Sequence, residues 1–428
     1  MRYALVNPAW EFEGSIYFGC REPHLPLEFG YARQLLEAAG HTVLYCDAHL
    51  DSLSLDDVQQ KLADFRPDFT VVTTAPTYLF WRCAPPELRI PQIALQTIRD
   101  VAGTTVAIGP HASTTPVATL RKLGVDLVMM GEPEPLLAEL TGNWDKLESL
   151  CYRRGDGEIV TGTPYYADMQ KLPALRWDRD YIARHHHHHH RFDAEPAGPG
   201  AEVEASRGCP YHCTFCAKDN FRNEYRRRST ATILEEVDGL IGQGVEYIYF
   251  IDEIFIPQKD LLRALAERNV KIGVQTRIDL WNEEAIQLLA AAHCVSIEAG
   301  VESITEAGRA MLDKKCKLST DELADRLVFA KQRIPFVQAN LLAMDEDSAE
   351  DIESWRQHLL EKGVWSNKPV PLFPYPGSPE YTRRWGKPDD LAWERAHDYY
   401  LKGTDTFSDI QNQDPAELVQ LELNASAK

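Results

Sequence analysis

Three cysteines lie close together on one short stretch of the chain, Cys209, Cys213 and Cys216, in the order Cys-Pro-Tyr-His-Cys-Thr-Phe-Cys. Thiolates are ligands of zinc and of iron–sulfur clusters, and closed sites of both kinds normally use four protein ligands. Such a loop either recruits a fourth ligand, with His212 as a zinc candidate, or holds three irons of a [4Fe-4S] cluster and leaves the fourth open. An open iron can bind the amino and carboxylate groups of S-adenosylmethionine (SAM) and pass one electron to its sulfonium.

The other cysteines indicate a reducing compartment. The chain has nine cysteines, an odd number that argues against a secreted disulfide framework. Cys294 and Cys316 have no C-x2-C partner nearby, so we expect core or surface roles for them and no auxiliary cluster. The N-terminus reads as a buried strand rather than a signal peptide, and no run of about 18 apolar residues occurs. We therefore expect a cytoplasmic protein without a membrane span.

Length and charge limit the number of domains and the kinds of partner. A chain of 428 residues exceeds what one hydrophobic core usually organises, which favours two domains. The formal net charge of −20 argues against nucleic acid or a membrane as a partner, because Lys and Arg hold such partners. One basic run follows the cysteine loop, and we expect it to solvate the loop, with an anionic substrate as the alternative. Its members are Lys218, Arg222, Arg226, Arg227 and Arg228.

Residues 1–145 alternate short β-branched runs with amphipathic segments, which predicts an α/β fold with a doubly wound parallel sheet. The predicted strands are 2–6, 42–46, 69–73, 105–108 and 127–130, and the predicted helices are 30–39, 56–65, 92–101 and 116–123. Ligands of such sheets lie at the carboxyl ends of the strands. Here these ends carry small and polar residues, such as Thr74, Gly109 and Gly131, which would let a large cofactor approach the backbone.

A second alternating series begins near Glu202 and predicts an open, partial (β/α)6 barrel. The predicted strands are 202–206, 247–251, 271–275, 295–299, 336–342 and 369–373, and the predicted helices are 230–241, 259–267, 283–292, 320–331 and 349–361. The cysteine loop follows the first strand, on the face where such barrels place their chemistry. Residues 146–200 read as a linker, 201–378 as the barrel and 379–428 as a small helical C-terminal segment that caps it.

The C-x3-C-x2-C spacing, with the aromatic Phe215 before the last cysteine, resembles the signature of the radical SAM superfamily. Other stretches along nearly the whole chain resemble its cobalamin-dependent members. They are 7–8, 27–41, 108–112 and 125–132 in the first half, and 249–255, 276–279, 297–303 and 375–379 in the second. Each stretch is weak evidence singly, and their order makes the evidence strong. The resemblance implies a Rossmann-like cobalamin-binding domain followed by a TIM-like radical SAM barrel.

The resemblance also implies which residues bind the cofactors. Cys209, Cys213 and Cys216 would hold the [4Fe-4S] cluster. The residues implied for SAM are Phe215, Asp252, Glu253, Gln275, Arg277, Glu298 and Glu302. The residues implied for cobalamin are Asn7, Pro8, Thr74, Ala75, Pro76, Tyr78, Gly109, Pro110, His111, Gly131 and Glu132. Ion pairs at the barrel end are the alternative role for the charged members of the SAM set.

One departure from cobalamin proteins with a histidine lower ligand concerns the first strand. Those proteins carry Asp-x-His-x-x-Gly after it, whereas this chain has Asn-Pro-Ala-Trp-Glu-Phe-Glu-Gly from Asn7. The similar stretch 47–52 follows the second strand and lacks the glycine. We therefore expect base-off cobalamin without a histidine below the cobalt. The loop 74–81 is the expected lower floor, and its aromatic residues would be core residues in the alternative interpretation.

Six consecutive histidines, 185–190, lie between the predicted domains beside the Pro- and Gly-rich stretch 194–200. A run on a linker presents no fixed geometry for a metal, so we interpret it as part of the connector. Engineering of the run, and proton transfer by one or two of its histidines near the substrate, are the alternatives.

These features predict a cobalamin-dependent radical SAM enzyme, and first of all a C-methyltransferase acting on a small molecule. The resemblance implies that a 5′-deoxyadenosyl radical takes hydrogen from an unactivated carbon and that methylcobalamin supplies the methyl group. An external one-electron reductant, flavodoxin or ferredoxin, would supply the electron. A cyclisation, oxidation or rearrangement without methyl transfer is the nearest alternative. A non-catalytic cobalamin and iron–sulfur sensor and a zinc-stabilised binding module are alternatives of other classes.

Overall fold

The computed structural model describes residues 1–10, 24–76, 88–140, 144–184, 199–218 and 221–404. Strands and helices alternate through both halves of the chain. The strands are β1 (Arg2–Asn7), β2 (Thr42–Asp47), β3 (Phe69–Thr73), β4 (Thr104–Ile108), β5 (Leu127–Met129), β6 (Leu150–Arg154), β7 (Gly157–Thr161), β8 (Gly200–Val203), β9 (Ser206–Arg207), β10 (Arg226–Arg227), β11 (Tyr247–Phe250), β12 (Lys271–Thr276), β13 (Cys294–Glu302), β14 (Phe336–Leu341) and β15 (Trp365–Ser366). The helices are α1 (Leu27–Ala38), α2 (Leu55–Phe65), α3 (Arg89–Ile98), α4 (Pro110–Thr114), α5 (Pro116–Leu123), α6 (Glu134–Leu137), α7 (Arg179–Arg184), α8 (Thr230–Gly242), α9 (Lys259–Leu265), α10 (Glu283–Ala291), α11 (Glu306–Met311), α12 (Thr320–Lys331), α13 (Ala349–Glu361), α14 (Pro379–Trp385) and α15 (Ala392–Thr404).

The first half forms a sheet whose described strands have the order β2-β1-β3-β4-β5-β6-β7. The first five strands are parallel, with apolar clusters on both faces, which confirms the predicted doubly wound sheet. β6 and β7 extend it as an antiparallel hairpin. This hairpin lies within residues 146–200, which the sequence assigned to a linker. Its Gly155-Asp156-Gly157 turn is a local hairpin signal.

The second half forms a parallel sheet with the order β8-β11-β12-β13-β14-β15 in the described residues. This order is that of successive β/α units, and it confirms the predicted parallel series; the name barrel is kept for this half below. The predicted sixth strand at 369–373 is wrong, because β15 lies at Trp365–Ser366 and Val370 makes an isolated bridge to Leu342. Pro369 and Pro371 have no backbone N–H to donate to a ladder, so this segment is a poor strand.

The first half contributes side chains to the apolar core of the barrel. Leu27 and Tyr31 of α1 are fully buried in the same cluster as Trp177 and the barrel strands. Helix α15 also bridges the halves, because the indole of Trp393 donates a hydrogen bond of 2.8 Å to Thr115 Oγ1. In the part of the chain that the structure describes, none of the helices is long and apolar enough to cross a bilayer.

Candidate active site

The cysteine loop leaves the barrel after β8 and is closed at its base by a short antiparallel ladder. Arg207 and Ser206 of β9 pair with Arg226 and Arg227 of β10. Gly208, with φ of +77°, starts the loop, and a Cβ there would lie 2.1 Å from the carbonyl oxygen of Glu224. This position therefore requires glycine.

Backbone hydrogen bonds hold the middle of the loop on both sides. The N–H of Thr214 donates to the carbonyl of Leu312 at 3.0 Å, after α11. The carbonyl of Thr214 accepts from the N–H of Glu380 at 2.8 Å, at the start of α14. Both contacts lie within the stretch between Cys213 and Cys216, so the barrel's late helices fix the positions of these thiols.

The three thiols fit the cysteine ligands of an iron–sulfur cluster. Cys209, Cys213 and Cys216 are unbridged and partly exposed. Burial raises the pKa of all three and brings that of Cys216 to about 12, so metal charge is needed to hold them as thiolates. Among the described residues, no three His, Cys, Asp or Glu side chains converge on one point as a mononuclear ion requires. A cluster has no such requirement, since each cysteine ligates a different iron.

Next to the loop, the carboxyl end of β12 carries polar atoms that fit a bound polar ligand. Arg277 pairs with Asp279 at 2.7 Å, and its guanidinium lies 4.0 Å from the ring centroid of Tyr211 in the loop. Its Nη1 and the Oε1 of Gln275 are buried without a hydrogen-bond partner. Buried polar groups are normally satisfied, so these two atoms suit a ligand such as SAM.

Three polar residues lie side by side on neighbouring strands of the barrel sheet. Gln275, Glu298 and Gln338 are in register on β12, β13 and β14, so their side chains share one face. Gln338 was not among the predicted site residues. Its amide donates to Asn340 Oδ1 at 2.5 Å, and its Oε1 is buried without a partner. A polar position at the centre of a predicted buried strand was the sequence signal for it.

The other members of the predicted SAM set are already engaged with the protein. Asp252 accepts the Ala205 N–H at 2.8 Å and the Ser206 hydroxyl at 2.5 Å, and burial raises its pKa to about 8. Glu253 accepts a hydrogen bond of 2.9 Å from the Gly208 N–H and forms an ion pair with Arg222, which follows the cysteine loop. These carboxyl groups brace the start of the cysteine loop.

Glu302 and Phe215 complete the predicted SAM set. Glu302 has a φ of +64° and forms an ion pair with Lys314, which also donates to the Gly300 carbonyl at 2.9 Å. Burial and the charge of Arg277 lower the pKa of Lys314 to about 8. Phe215 is partly exposed in the loop.

At the first sheet, the carboxyl ends of β3 and β4 form a small cradle. Thr73 Oγ1 and Thr74 Oγ1 are buried without hydrogen-bond partners. Gly109 has a φ of +115°, and a Cβ there would lie 2.7 Å from Thr74 Oγ1. Orphaned hydroxyls beside a position without a side chain fit the predicted approach of a corrinoid to the backbone.

The remaining predicted cobalamin residues differ in their surroundings. Asn7 donates to Asp47 Oδ1 at 2.9 Å and accepts from the indole of Trp10 at 2.8 Å. Ala75, Pro8 and Pro110 are buried, and Pro76 is partly buried. Tyr78, the rest of the floor loop and the histidine run 185–190 lie outside the described residues.

His111 is buried beneath helix α15. Its ring centroid lies 3.9 Å from that of Trp393, and burial lowers its pKa to about 3, so the imidazole is neutral. Trp393 thus covers His111, one of the residues predicted to bind cobalamin. From the sequence we predicted that the aromatic C-terminal segment caps the barrel, and we did not predict its contact with His111.

Glu132 joins the two halves of the molecule. Its carboxylate pairs with Arg226 at 2.5 Å and with Arg207 at 3.1 Å, although the sequence predicted a role in cobalamin binding. The interpretation of the basic run as solvating the loop is wrong for Lys218, Arg222 and Arg228, which are buried. Arg222 pairs with Glu204 and Glu253, 18 and 31 positions away, and Arg228 pairs with Glu236 of helix α8.

The second half thus carries three unbridged cysteines directly after the first strand of its parallel sheet. Residues 203–359, which run from β8 into α13, match the model of the radical SAM superfamily. Over these residues the chain is therefore similar to the radical SAM superfamily.

Two relatives and one solved structure are similar along most of the chain. Anaerobic magnesium-protoporphyrin IX monomethyl ester cyclase of Rubrivivax gelatinosus is 24% identical over 82% of this chain and 64% of its own length. Hopanoid C-3 methylase of Methylococcus capsulatus is 27% identical over 82% of this chain and 67% of its own. The chain therefore spans less than two thirds of the cyclase. The radical SAM methyltransferase TsrM of Kitasatospora setae, solved with tryptophan and a SAM analogue, has a TM-score of 0.71 at 17% identity, covering 90% of this chain and 76% of its own. This last similarity shows a shared fold.

Proposed function

We propose that this protein is a cobalamin-dependent radical SAM enzyme, and that it is a C-methyltransferase acting on a small molecule. The observation that carries the proposal is the cysteine loop, which follows β8 and has three free thiols. The ion pair of Arg207 with Glu132 links this loop to the carboxyl end of the parallel strands of the first sheet. The methylase among the relatives and the fold shared with TsrM support methyl transfer.

Each part of the site has a role in this proposal. Cys209, Cys213 and Cys216 hold the cluster, and Gln275 with Arg277 offers buried polar atoms to SAM. The edge with Thr74, Gly109 and Gly131 holds base-off cobalamin. When bound, these cofactors supply radical generation and methyl donation, and the protein orients them and excludes water. The electron comes from flavodoxin or ferredoxin in the cytoplasm, and nucleic acid and membrane are not partners.

A radical reaction without methyl transfer is the second candidate, because the cyclase is similar over most of this chain. The mass of the product separates the two candidates, since methylation adds one CH2 group. A non-catalytic sensor would bind the cofactors and release no 5′-deoxyadenosine.

The first test measures 5′-deoxyadenosine after anaerobic reconstitution with iron and sulfide and addition of SAM and dithionite. The wild type is expected to release it, and Cys213→Ala is expected to lose the release and the cluster absorbance, because one iron loses its ligand. Cys316→Ala is the matched control: this thiol is also partly exposed, and its Sγ lies 3.7 Å from the Leu318 carbonyl oxygen. Release by Cys213→Ala at the wild-type level would refute the proposal.

A further inference from the structure

A buried carboxylate at the domain junction is held by two arginines of the cysteine-loop base. Glu132 follows β5, and its Oε1 accepts from Arg226 Nη2 at 2.5 Å. Its Oε2 accepts from Arg226 Nη1 at 3.0 Å, from Arg207 Nη1 at 3.1 Å and from the Ala167 N–H at 3.2 Å. The side chains of Glu132 and Arg207 are 1% and 0% exposed, so water does not screen this contact.

Arg207 also connects this junction to charges inside the barrel. Its Nε lies 2.9 and 3.0 Å from the two oxygens of Glu204, and its Nη2 lies 2.7 Å from an oxygen of Glu134. Glu204 in turn accepts from Arg222 at 2.8 Å. Arg222 donates to Glu253 at 3.1 Å, and Glu253 accepts the backbone N–H that begins the cysteine loop. The charges form a continuous path from the first sheet to the loop.

Both ends of the path lie beside predicted cofactor positions. Glu132 follows Gly131, whose φ is +83° and whose missing Cβ allows contact with the backbone of Tyr165. Arg207 is two residues before Cys209, and β10 pairs Arg226 with Arg207. A shift of the edge of the first sheet would therefore displace the base of the cysteine loop.

Such a buried network of ion pairs fixes the relative orientation of its members more than it stabilises the fold. Desolvation of buried ions often cancels their attraction, and apolar replacements can be equally stable. Bidentate guanidinium–carboxylate pairs do fix relative orientation, because both groups are planar. Reactions between groups held on two domains depend on placement within fractions of an ångström.

We propose that Arg207, Arg226 and Glu132 form a positioning clamp. The clamp sets the distance between the carboxyl ends of the first sheet's strands, where cobalamin would bind, and the cysteine loop. This inference rests on the proposed function for the identity of the two sites. The role of the three residues is to hold the two cofactor-binding parts in one arrangement.

The test compares Arg226→Lys and Glu132→Gln with the wild type in two measurements on the full chain. The first is hydrogen–deuterium exchange without added cofactors. We expect exchange of residues 206–227 and 165–167 to be about tenfold faster in both variants, because the clamp holds these segments together. The second is the dipolar coupling between cob(II)alamin and the reduced cluster in pulsed EPR spectra. We expect a distance distribution about twofold broader in the variants, since the clamp defines the arrangement.

Arg268→Lys is the control for losing a bidentate pair. Arg268 is 20% exposed and bidentate to Asp238 at 2.7 and 2.9 Å, and Arg226 is 18% exposed and bidentate to Glu132. The two pairs differ in the carboxylate, which is exposed in Asp238 and buried in Glu132. This control pair lies within the barrel and should leave both measurements at wild-type values. Arg226→Lys keeps the charge, so it remains informative should Glu132→Gln fail to fold.

Wild-type exchange and an unchanged distance distribution in Arg226→Lys would overturn the clamp. Equal changes in Arg268→Lys would also overturn it, since they would show a general effect of losing an ion pair. Failure of the wild type to bind cobalamin or a cluster would contradict the proposed function instead, and the exchange measurement would still decide on the clamp.

Discussion

Asp252 shows at the scale of one residue how the barrel braces its cysteine loop. Its carboxyl group is fully buried after β11 and receives hydrogen bonds from the Ala205 N–H and the Ser206 hydroxyl. Desolvation raises its pKa to about 8, and the hydrogen bond from Ser206 and the one from the Ala205 N–H oppose this shift without cancelling it. Near neutral pH the folded protein therefore retains a proton that the unfolded chain releases.

This pKa predicts how stability depends on pH. A folded-state pKa above the unfolded one gives a contribution that is complete at acid pH and is lost as the pH rises to about 8. Asp252→Asn removes this titration. We expect the free energy of unfolding of the wild type to fall by about 3 kcal/mol relative to the variant between pH 6 and pH 9. Urea titrations at several pH values measure this difference, and parallel profiles would contradict the assignment.

At the scale of elements, the chain after β5 approaches the segment beyond the β6–β7 hairpin very closely. Gly131 has a φ of +83°, and a Cβ there would lie 2.2 Å from the carbonyl oxygen of Tyr165. Gly131→Ala must therefore move a backbone segment that carries the clamp. We expect a loss of about 3 kcal/mol or more in the free energy of unfolding, together with weaker cobalamin binding. Thermal unfolding and a cobalamin titration measure the two effects.

Gly40→Ala is the control for this substitution. Gly40 has nearly the same φ, +82°, but a Cβ there would have no neighbour within 4 Å. It should cost about 1 kcal/mol from backbone strain and leave cobalamin binding unchanged. Equal effects of the two substitutions would mean that the close approach is unimportant.

Elements defined by local patterns were predictable, and those defined by distant partners were not. β1 to β5 lie within one residue of their predicted ranges, because alternation of apolar runs and Gly-closed helices is local. The sixth barrel strand was misplaced, since its position depends on pairing with β14 and on Arg356, which donates to the Ser366 carbonyl. The cysteine loop was evident from spacing. The half-buried pairing of Arg226 with Glu132 joins residues 94 positions apart, and no sequence pattern links them.

At the scale of the whole molecule, helix α1 belongs to two cores. Leu36 packs into the apolar cluster of the first sheet, whereas Leu27 packs into the cluster that contains the barrel strands. Both side chains are fully buried. A helix that contributes to both cores couples them mechanically, and the buried pairs around Arg207 add to this coupling. The two halves should therefore unfold together, unlike domains joined by a small polar interface.

Leu27→Ala and Leu36→Ala test this coupling as a matched pair on one helix. Each substitution should lower the free energy of unfolding by about 2–5 kcal/mol, because it leaves a cavity. In each variant the whole molecule should still unfold in a single calorimetric transition, with a lower midpoint temperature. Since the transition involves both cores, the van't Hoff and calorimetric enthalpies should stay equal in both variants. Independent halves would behave differently: Leu36→Ala would split off an early transition of the first sheet, while the barrel would keep the wild-type midpoint. That result would contradict cooperative unfolding and would show that helix α1 does not couple the two cores.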